Sequence, residues 1–492
     1  MEITVSRVKC FCGIFGICNH PGASTMVYYG LHALQHRGQE ASGIVSHEVE
    51  SGKDVFRILK GEGLVSEVFS DFESWRPQLP GNAAIGHNRY STTGSSNSRK
   101  NIQPFLVNYH SGNLAVAHNG NLTNDKELRE WLVAEGSIFQ TSSDSEVFLH
   151  LIAKSKQKDQ RDQIVEALGF VKGAFSVLIL TDRYFVIARD NNGFRPLSLG
   201  KHGDSWVAAS ETCAFDIISA EYIRDVEPGE VIFIPLEGDV HTPESRRIKE
   251  ELPQKKQCIF EYIYFSRPDS MIFGHSVDKI RRRLGKILAR NYPVNHPDSD
   301  EKVIVISVPD SSNTAALGYA NELEKMGIKA KFEIGLLRSH YIGRTFIEPG
   351  QENRELRVKI KFNPVKGVLK DKVVVVIDDS IVRGTTSKQL ISLIREAGPK
   401  EIHLRISSPP IMYSCFYGMD FPSREELIAY QMQGDTEKIR EYIGVDSLEY
   451  LQIEHLHEAV RDDEPGDYCT ACFSGNYPVK VDLNFTKEHY EV

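Results

Sequence analysis

Asp378 and Asp379 stand side by side at the end of an apolar run, in the segment VVVVIDDSIVRGTTS at residues 373–387. Two adjacent carboxylates can accept the hydroxyls of a sugar or act as outer ligands of Mg²⁺. Ser380, Arg383, Gly384, Thr385 and Thr386 follow them. That loop of hydroxyls, one cation and one glycine leads into a helical pattern. Its backbone N–H groups and hydroxyls converge on one point, which makes a cradle for a phosphate. Acids and cradle together predict a site for a phosphorylated sugar. The plainer reading is a strand, a loop and a helix with surface acids. Adjacent acids rarely end a buried strand without a use, and that favours the site.

The elements that hold this site follow from the pattern around it. Residues 373–377 read as a strand buried on both faces. Open parallel sheets bind ligands at the carboxyl ends of such strands. Around it the second half alternates strand (303–308), helix (312–326), helix (385–397, ended by Gly398-Pro399) and strand (402–407), an α/β arrangement with a parallel sheet. A long basic stretch at 338–364 is expected to be a mobile lid. The tail, 424–460, reads as mainly helical. The first half is instead rich in short strands at 55–60, 83–89, 114–118, 176–180, 184–188 and 206–210, with helices at 23–36, 125–135 and 144–155. Turn residues separate the strands, as in a layered sandwich. A polar stretch at 235–256, with Pro235, Pro243 and Pro253, marks the boundary between the halves.

The chain has 492 residues, too many for one core, so two domains are expected. A hydrophobic content of 41% and a charged content of 25% are those of an ordinary globular protein. The net charge of −9 disfavours a nucleic-acid binder. No apolar run is long enough to span a bilayer, so no membrane role is expected. The opening MEITVSRVKCF lacks the apolar centre of a secretory signal, and a cytoplasmic location follows as the expectation. In that compartment the eight cysteines are not expected to pair as disulfides. Any that cluster point to metal ligation or catalysis.

A second set of reactive residues lies near the N-terminus. Cys12 opens CGIFGI, and downstream come Gln35-His36-Arg37-Gly38-Gln39, Gly86-His87-Asn88-Arg89-Tyr90, His118-Asn119-Gly120 and Ser142-Ser143-Asp144-Ser145-Glu146. Together these motifs resemble the glutaminase domain of the N-terminal-nucleophile (class II) glutamine amidotransferases, over roughly the first half of the chain. The resemblance implies an α+β sandwich with αββα layers at residues 12–245. It makes Cys12 the nucleophile on the side-chain amide of glutamine, and Asn119 and Gly120 the oxyanion hole. Arg89 would pair with the glutamine α-carboxylate and Asp144 with its α-ammonium. Arg37 would support or line the same pocket, either in direct contact or through a structural ion pair. The base in this family is the nucleophile's own α-amino group, whose pKa of about 8 lets it take a proton near neutrality. Cys12 must then be the first residue of the mature chain, and residues 1–11 are expected to be a propeptide. Cys10 competes as the nucleophile, but only Cys12 stands in the Gly-Ile-Phe-Gly register.

The segment that opened this reading resembles the phosphoribosyl pyrophosphate (PRPP) motif of the type I phosphoribosyltransferases, an α/β fold expected at 258–422. The resemblance implies that Asp378 and Asp379 hold the ribose hydroxyls and that Ser380, Arg383, Gly384, Thr385 and Thr386 hold the 5′-phosphate. Ser311, Asp378 and Asp379 would hold one Mg²⁺ per subunit. Arg344, in the motif Tyr341-Ile342-Gly343-Arg344-Thr345-Phe346, would also reach PRPP. Arg338 and His340 depart from the usual Lys and Arg of the lid. An enzyme that combines both modules would take glutamine, PRPP and water to 5-phosphoribosylamine, glutamate and pyrophosphate, the entry step of purine synthesis. The resemblance further implies a homo-oligomer, tetrameric or smaller, with feedback inhibition by purine nucleotides. Two alternatives are weaker. A hexosamine-forming amidotransferase would need sugar-isomerase domains in place of the PRPP motif. A PRPP-sensing regulator would need a basic element and would leave Cys12 and Asn119 unexplained.

Cys469-Thr470-Ala471-Cys472 forms a C-x₂-C pair, with Cys258 and Cys415 far away in sequence. Four thiolates would suit one [4Fe–4S] cluster per subunit or, on chemical grounds, a Zn²⁺ ion. The contexts of these cysteines resemble those of a cluster-bearing subgroup of the two-module enzymes, which favours iron–sulfur. The cluster would pin the tail, residues 423–492, to the second domain. Cys18 and Cys213 are expected to be core thiols.

Overall fold

The computed structural model describes residues 11–90, 98–239, 241–251, 253–295, 301–339, 359–460, 464 and 466–481. Two antiparallel sheets fill the first half. The seven-stranded sheet carries Phe11–Cys18 between Ser205–Ala209 and Ala83–Tyr90. The six-stranded sheet carries Gly112–Leu122 between Phe105–Tyr109 and Gly173–Thr181. Alternation along the strands decides what each face meets. In the first sheet Ile14 and Cys18 pack on Ala115, Ala117, Leu178 and Phe185 of the second, while Phe15 and Ile17 pack on Val27 and Leu31 of the helix Ala23–Ala33. The outer face of the second sheet, through Val116, Val177 and Ile179, packs on the helices Asp125–Ala134, Glu146–Lys154 and Gln160–Phe170. The layers are therefore helix, sheet, sheet, helix, as the resemblance implied.

The second half is built on a five-stranded parallel sheet. In spatial order its strands are Ala330–Phe332, Val303–Ser307, Val373–Asp378, Glu401–Ile406 and Ser447–Tyr450. Val373, Val375 and Ile377 enter the core shared with the helices Val277–Asn291 and Asn313–Lys325. Val374 and Val376 enter the core under Thr385–Arg395 and Thr436–Ile443. Both faces of the central strand are thus covered, which explains its unbroken apolar run.

The structure adds two strands that the sequence pattern does not show. The tail is not only helical: Ser447–Tyr450 extends the parallel sheet, and Ile439 and Ile443 share its core. The alternation of SLEY is too short to separate from the helices around it, so its pairing with Glu401–Ile406 had to come from tertiary structure. The polar stretch at 235–256 also contains a strand, Glu244–Arg247, which closes the edge of the six-stranded sheet on Glu230–Pro235. Among the described residues no helix is long and apolar enough to cross a membrane.

Candidate active sites

Numbered along the chain with Val303–Ser307 first, the parallel strands lie in the spatial order 2-1-3-4-5. The order reverses between Val303–Ser307 and Val373–Asp378. A doubly wound sheet opens its ligand crevice at that switch point, beyond the carboxyl ends of those two strands. Asp378 and Asp379 end one of them, and Ser311 and Ser312 follow the other. Ser311 Oγ donates to Asp379 Oδ2 at 2.5 Å, and Ser312 Oγ lies 3.4 Å from Asp378 Oδ1. Ser380 Oγ donates to the other oxygen of Asp379 at 2.7 Å. Burial raises the pKa of both acids, and the neighbouring Asp379 raises Asp378 further. A pair held in this state gains from a cation placed between its oxygens.

The loop after the acids is shaped by Gly384. Its φ of +73° lies in the left-handed region, and a Cβ there would stand 2.4 Å from Ile428 Cδ1. Only glycine lets the chain turn into the helix Thr385–Arg395, whose first two residues, Thr385 and Thr386, are exposed at the crevice. Arg383 Nε donates to Glu426 Oε2 at 2.9 Å. Arg338 is exposed and pairs with Asp310 at 2.9 Å. His340 and Arg344 lie outside the described residues, as do most of the expected lid and Cys10.

The second site forms between the two antiparallel sheets. Cys12 lies in register opposite Arg89, on the face of its strand shared by Ile14. Asn119 lies on the face shared by Ala115 and Ala117, which looks back at that strand. Ser210 joins the two. Its Oγ accepts from Ile14 N at 3.0 Å and lies 3.4 Å from Asn119 Nδ2. At Gly120 a Cβ would come within 2.0 Å of the Ala174 carbonyl oxygen, so the strand passes too close there for any side chain. Asp144 is tied to the same strand by Leu122 N, 3.0 Å from Oδ2, and receives Ser145 Oγ at 3.2 Å.

Arg37 stands apart from the other expected glutamine ligands. Its side chain is fully buried and does not open to a pocket. Nε donates to the Cys12 carbonyl at 3.1 Å, and the fork pairs with Glu211 and with Glu261 at 2.9 Å. The structural ion pair is therefore the better of its two readings, with Arg37 acting through the backbone of Cys12. Glu261 belongs to a single turn of π-helix, Glu261–Phe265, at the start of the second half. Its charge also meets Arg195 at 2.7 Å, and Ser266 Oγ donates to it at 2.5 Å.

The four distant cysteines converge. Gln257–Cys258 and Tyr468–Cys469 pair as parallel strands with Cys258 opposite Cys469. The Cys472 carbonyl accepts from Met412 N and Tyr413 N, each at 3.0 Å, which brings in the segment of Cys415. Cys415 Sγ receives Tyr417 N at 3.3 Å and Met419 N at 3.4 Å. All four side chains are buried in one core. Burial pushes the Cys258 thiol up to about 12, and burial and the neighbouring thiols raise Cys469 and Cys472 as well. Among the described residues, no three His, Cys, Asp or Glu side chains lie close enough to share one metal ion. Cys18 and Cys213 are buried in other cores, as expected of core thiols.

The sequence pointed to Cys12, Asn119 and the paired acids through local motifs. Ser210, Glu211 and Arg195 were missed, since each acts through partners far away in the chain. Glu261 was passed over inside a motif, and Ser312 was overlooked beside Ser311.

Comparison with known proteins bears on the family. Residues 87–216 match the model of a glutamine amidotransferase domain. The chain is 52% identical over 474 residues, 95% of its length and 79% of the relative's, to a protein named amidophosphoribosyltransferase 2, chloroplastic, from Arabidopsis thaliana. It is 47% identical to the amidophosphoribosyltransferase of Bacillus subtilis, over 96% of this chain and 94% of that one. A solved structure described as glutamine phosphoribosylpyrophosphate amidotransferase from B. subtilis, complexed with ADP and GMP, superposes with a TM-score of 0.86 at 46% identity, covering 97% of this chain and all of the other. The chain belongs to the amidophosphoribosyltransferase family.

Proposed function

We infer that the chain joins glutamine hydrolysis to phosphoribosyl transfer, giving 5-phosphoribosylamine, glutamate and pyrophosphate, the first step of purine synthesis. The observation that carries this reading is the pair of acids and hydroxyls at the switch point of a parallel sheet, in one chain with a cysteine and an asparagine facing each other between two antiparallel sheets. The first arrangement suits a phosphorylated sugar, and the second suits an amide.

In the glutaminase half, the Cys12 sulfur attacks the amide carbon. The C–N bond breaks, ammonia leaves, and water releases glutamate from the thioester. Asn119 Nδ2 and the Gly120 N–H stabilise the oxyanion. Arg89 and Asp144 hold the α-carboxylate and α-ammonium, while Arg37 fixes the Cys12 backbone. Removal of residues 1–11 frees the α-amino group of Cys12 as the base. An intact Met1 on fully active protein would sink that part of the proposal. Ammonia then passes to the second half and forms a bond to C1 of the ribose as the bond to pyrophosphate breaks. Asp378 and Asp379 orient the ribose and offset positive charge at C1. Ser380, Arg383, Gly384, Thr385 and Thr386 hold the 5′-phosphate, and Arg344 reaches PRPP from the lid.

Ser311, Asp378 and Asp379 would hold Mg²⁺, and the clustered, raised acids fit a cation. When bound, it compensates charge on the leaving pyrophosphate. Cys258, Cys415, Cys469 and Cys472 would hold a [4Fe–4S] cluster in a structural role. A [4Fe–4S] cluster takes four thiolates, and all four thiols are buried in one core. The two N–H groups at Cys415 Sγ suit a thiolate. A homo-oligomer, feedback by purine nucleotides and a cytoplasmic location complete the proposal.

The test separates the halves. Cys12→Ala should lose glutamine-dependent pyrophosphate release and keep ammonia-dependent release. Asp378→Ala should lose both. Undiminished glutamine-dependent activity in Cys12→Ala would remove the glutaminase assignment.

A further inference from the structure

The backbone before Asp144 and the carboxylate of Asp144 are held by different partners. Arg129 donates to the Thr141 and Ser143 carbonyls at 3.0 and 2.7 Å. Glu146 accepts from Gln140 N and Thr141 N at 2.8 and 2.7 Å. These bonds fix the chain at 140–143 but do not reach the carboxylate. That group accepts from Leu122 N on Oδ2 at 3.0 Å and from Ser145 Oγ on Oδ1 at 3.2 Å. The first donor is backbone at the end of a strand, and its direction is set. The second is a hydroxyl, whose single hydrogen turns to whichever neighbour can accept it.

Gln103 determines where that hydrogen goes. Its side chain is buried and bridges two elements. Oε1 accepts from His118 N at 2.8 Å, and Nε2 donates to Ser145 Oγ at 3.0 Å. A backbone N–H can only donate, so the carbonyl end of the amide must face His118 and the NH₂ end must face Ser145. Ser145 Oγ therefore accepts from Gln103. His118 Nδ1 lies 2.9 Å from the same oxygen. With its hydrogen on Nδ1, that ring fills the other lone pair of the hydroxyl. Both lone pairs are then taken, and the Ser145 hydrogen is left for Asp144 Oδ1. Asn101 repeats the clamp two residues earlier. Its Oδ1 accepts from Ser142 N at 3.1 Å, and its Nδ2 donates to Ser142 Oγ at 2.9 Å. Residues 101–103 are thus tied to 142–145 by two carboxamides that each use both ends.

We propose that Gln103 is a positioning residue of the glutaminase half: it ties the strand that carries Asn119 and Gly120 to the hydroxyl that aims Asp144, and so selects amides that bear an α-ammonium. The proposal rests on the reading of Asp144 given above. Glutamine is then held at two ends, its amide oxygen by Asn119 and Gly120 and its ammonium by Asp144. His118 directly precedes the first pair, and Ser145 directly follows Asp144. One buried carboxamide spans both and fixes the distance between them. A carboxylate held in one direction binds an ammonium better than one that must be ordered on binding. Gln103 touches no reacting atom and acts only through its two partners.

The test compares two amides on the full-length protein: glutamine, and 4-carbamoylbutanoate, which is glutamine without its α-amino group. Asp144→Asn comes first and should abolish the preference for glutamine. If that variant keeps the preference, the reading of Asp144 is wrong and the proposal goes with it. Gln103→Met has a side chain of similar length but neither donates to Ser145 nor accepts from His118. It should raise the KM for glutamine roughly tenfold, with a smaller change in kcat. Its kcat/KM for 4-carbamoylbutanoate should stay near the parent's, so the preference shrinks by the same factor. Turnover with ammonia bypasses this site and serves as the folding control. Ser145→Ala removes the hydroxyl with Gln103 in place, and it carries the test should Gln103→Met fail to fold. It should lose the preference to the same extent. A parental preference in Gln103→Met or in Ser145→Ala, beside a lost one in Asp144→Asn, would overturn the proposal alone. So would an equal slowing of both amides in Gln103→Met, which is what a general distortion of the half produces.

Discussion

At the scale of single residues, the chemistry depends on side chains whose orientation is set by distant partners. Asn119 can aim an amide hydrogen at an oxyanion only if its carboxamide is held still. Ser210 Oγ holds it, and the same oxygen accepts from Ile14 N two residues beyond Cys12. Ser210→Ala should therefore lower glutamine-dependent kcat on the order of tenfold, since an amide in a buried site loses its partner. Ammonia-dependent turnover should not change, and Ser210→Thr should restore part of the loss. Equal losses with both nitrogen donors would show a general folding defect instead. Cys12 and Asp378 could be read from the sequence because each sits in a local pattern that constrains it. Ser210 could not: it meets Ile14 across 196 positions, and no short pattern records that contact. Arg37 shows the opposite difficulty. Its motif was plain, but whether it touches ligand or fixes backbone depended on Glu211 and Glu261, 174 and 224 positions away.

Among the elements, the buried central strand and the loop after it were legible because burial on both faces leaves an unbroken apolar run. The strand order was not, since a parallel sheet pairs segments separated by whole helices. That order, 2-1-3-4-5, is what places Ser311 and Ser312 across from Asp378 and Asp379. The fifth strand escaped notice because four residues between short helices carry too little periodicity. The turn from strand to helix depends on Gly384. Alanine there would occupy a left-handed conformation and meet Ile428 Cδ1 at 2.4 Å. The strain and overpacking cost about 1–3 kcal/mol each. The Ile428 side chain can move aside, but the left-handed conformation is relieved only by a shift of the loop itself. Gly384→Ala should raise the KM for PRPP by an order of magnitude or more, equally with glutamine and with ammonia. Steady-state kinetics with each donor would check this. An effect confined to glutamine would contradict the placing of the phosphate in this loop.

For the whole molecule, the two halves meet in a buried set of charges as well as in apolar contact. Arg37, Arg195, Glu211 and Glu261 are all fully buried, and Glu211 also receives Arg267 N at 2.9 Å and Ser270 Oγ at 2.7 Å from the second half. Arg281 extends the contact toward the other site by donating to the Ser266 carbonyl at 2.7 Å. Burial alone would raise the pKa of both glutamates. The charges of Arg195 and Arg37 on Glu261, and of His36 and Arg37 on Glu211, reverse that and hold both below the usual carboxylate range. Acids lowered by folding contribute stability that is fully present above their unfolded pKa, about 4.3, and that disappears as pH falls through the folded value. Urea unfolding should therefore show this contribution unchanged from pH 8 to pH 5 and declining below about pH 4. Glu261→Gln leaves the buried Arg195 without its carboxylate and Arg37 with Glu211 alone, a loss of about 3–5 kcal/mol at neutral pH. Because the variant has already lost the charge that acid removes, its stability should fall less steeply than the parent's below pH 4. A variant with parental stability at pH 7, or with the parental acid slope, would mean that the halves are held by their apolar contacts alone and that the charges between them are neutral in effect.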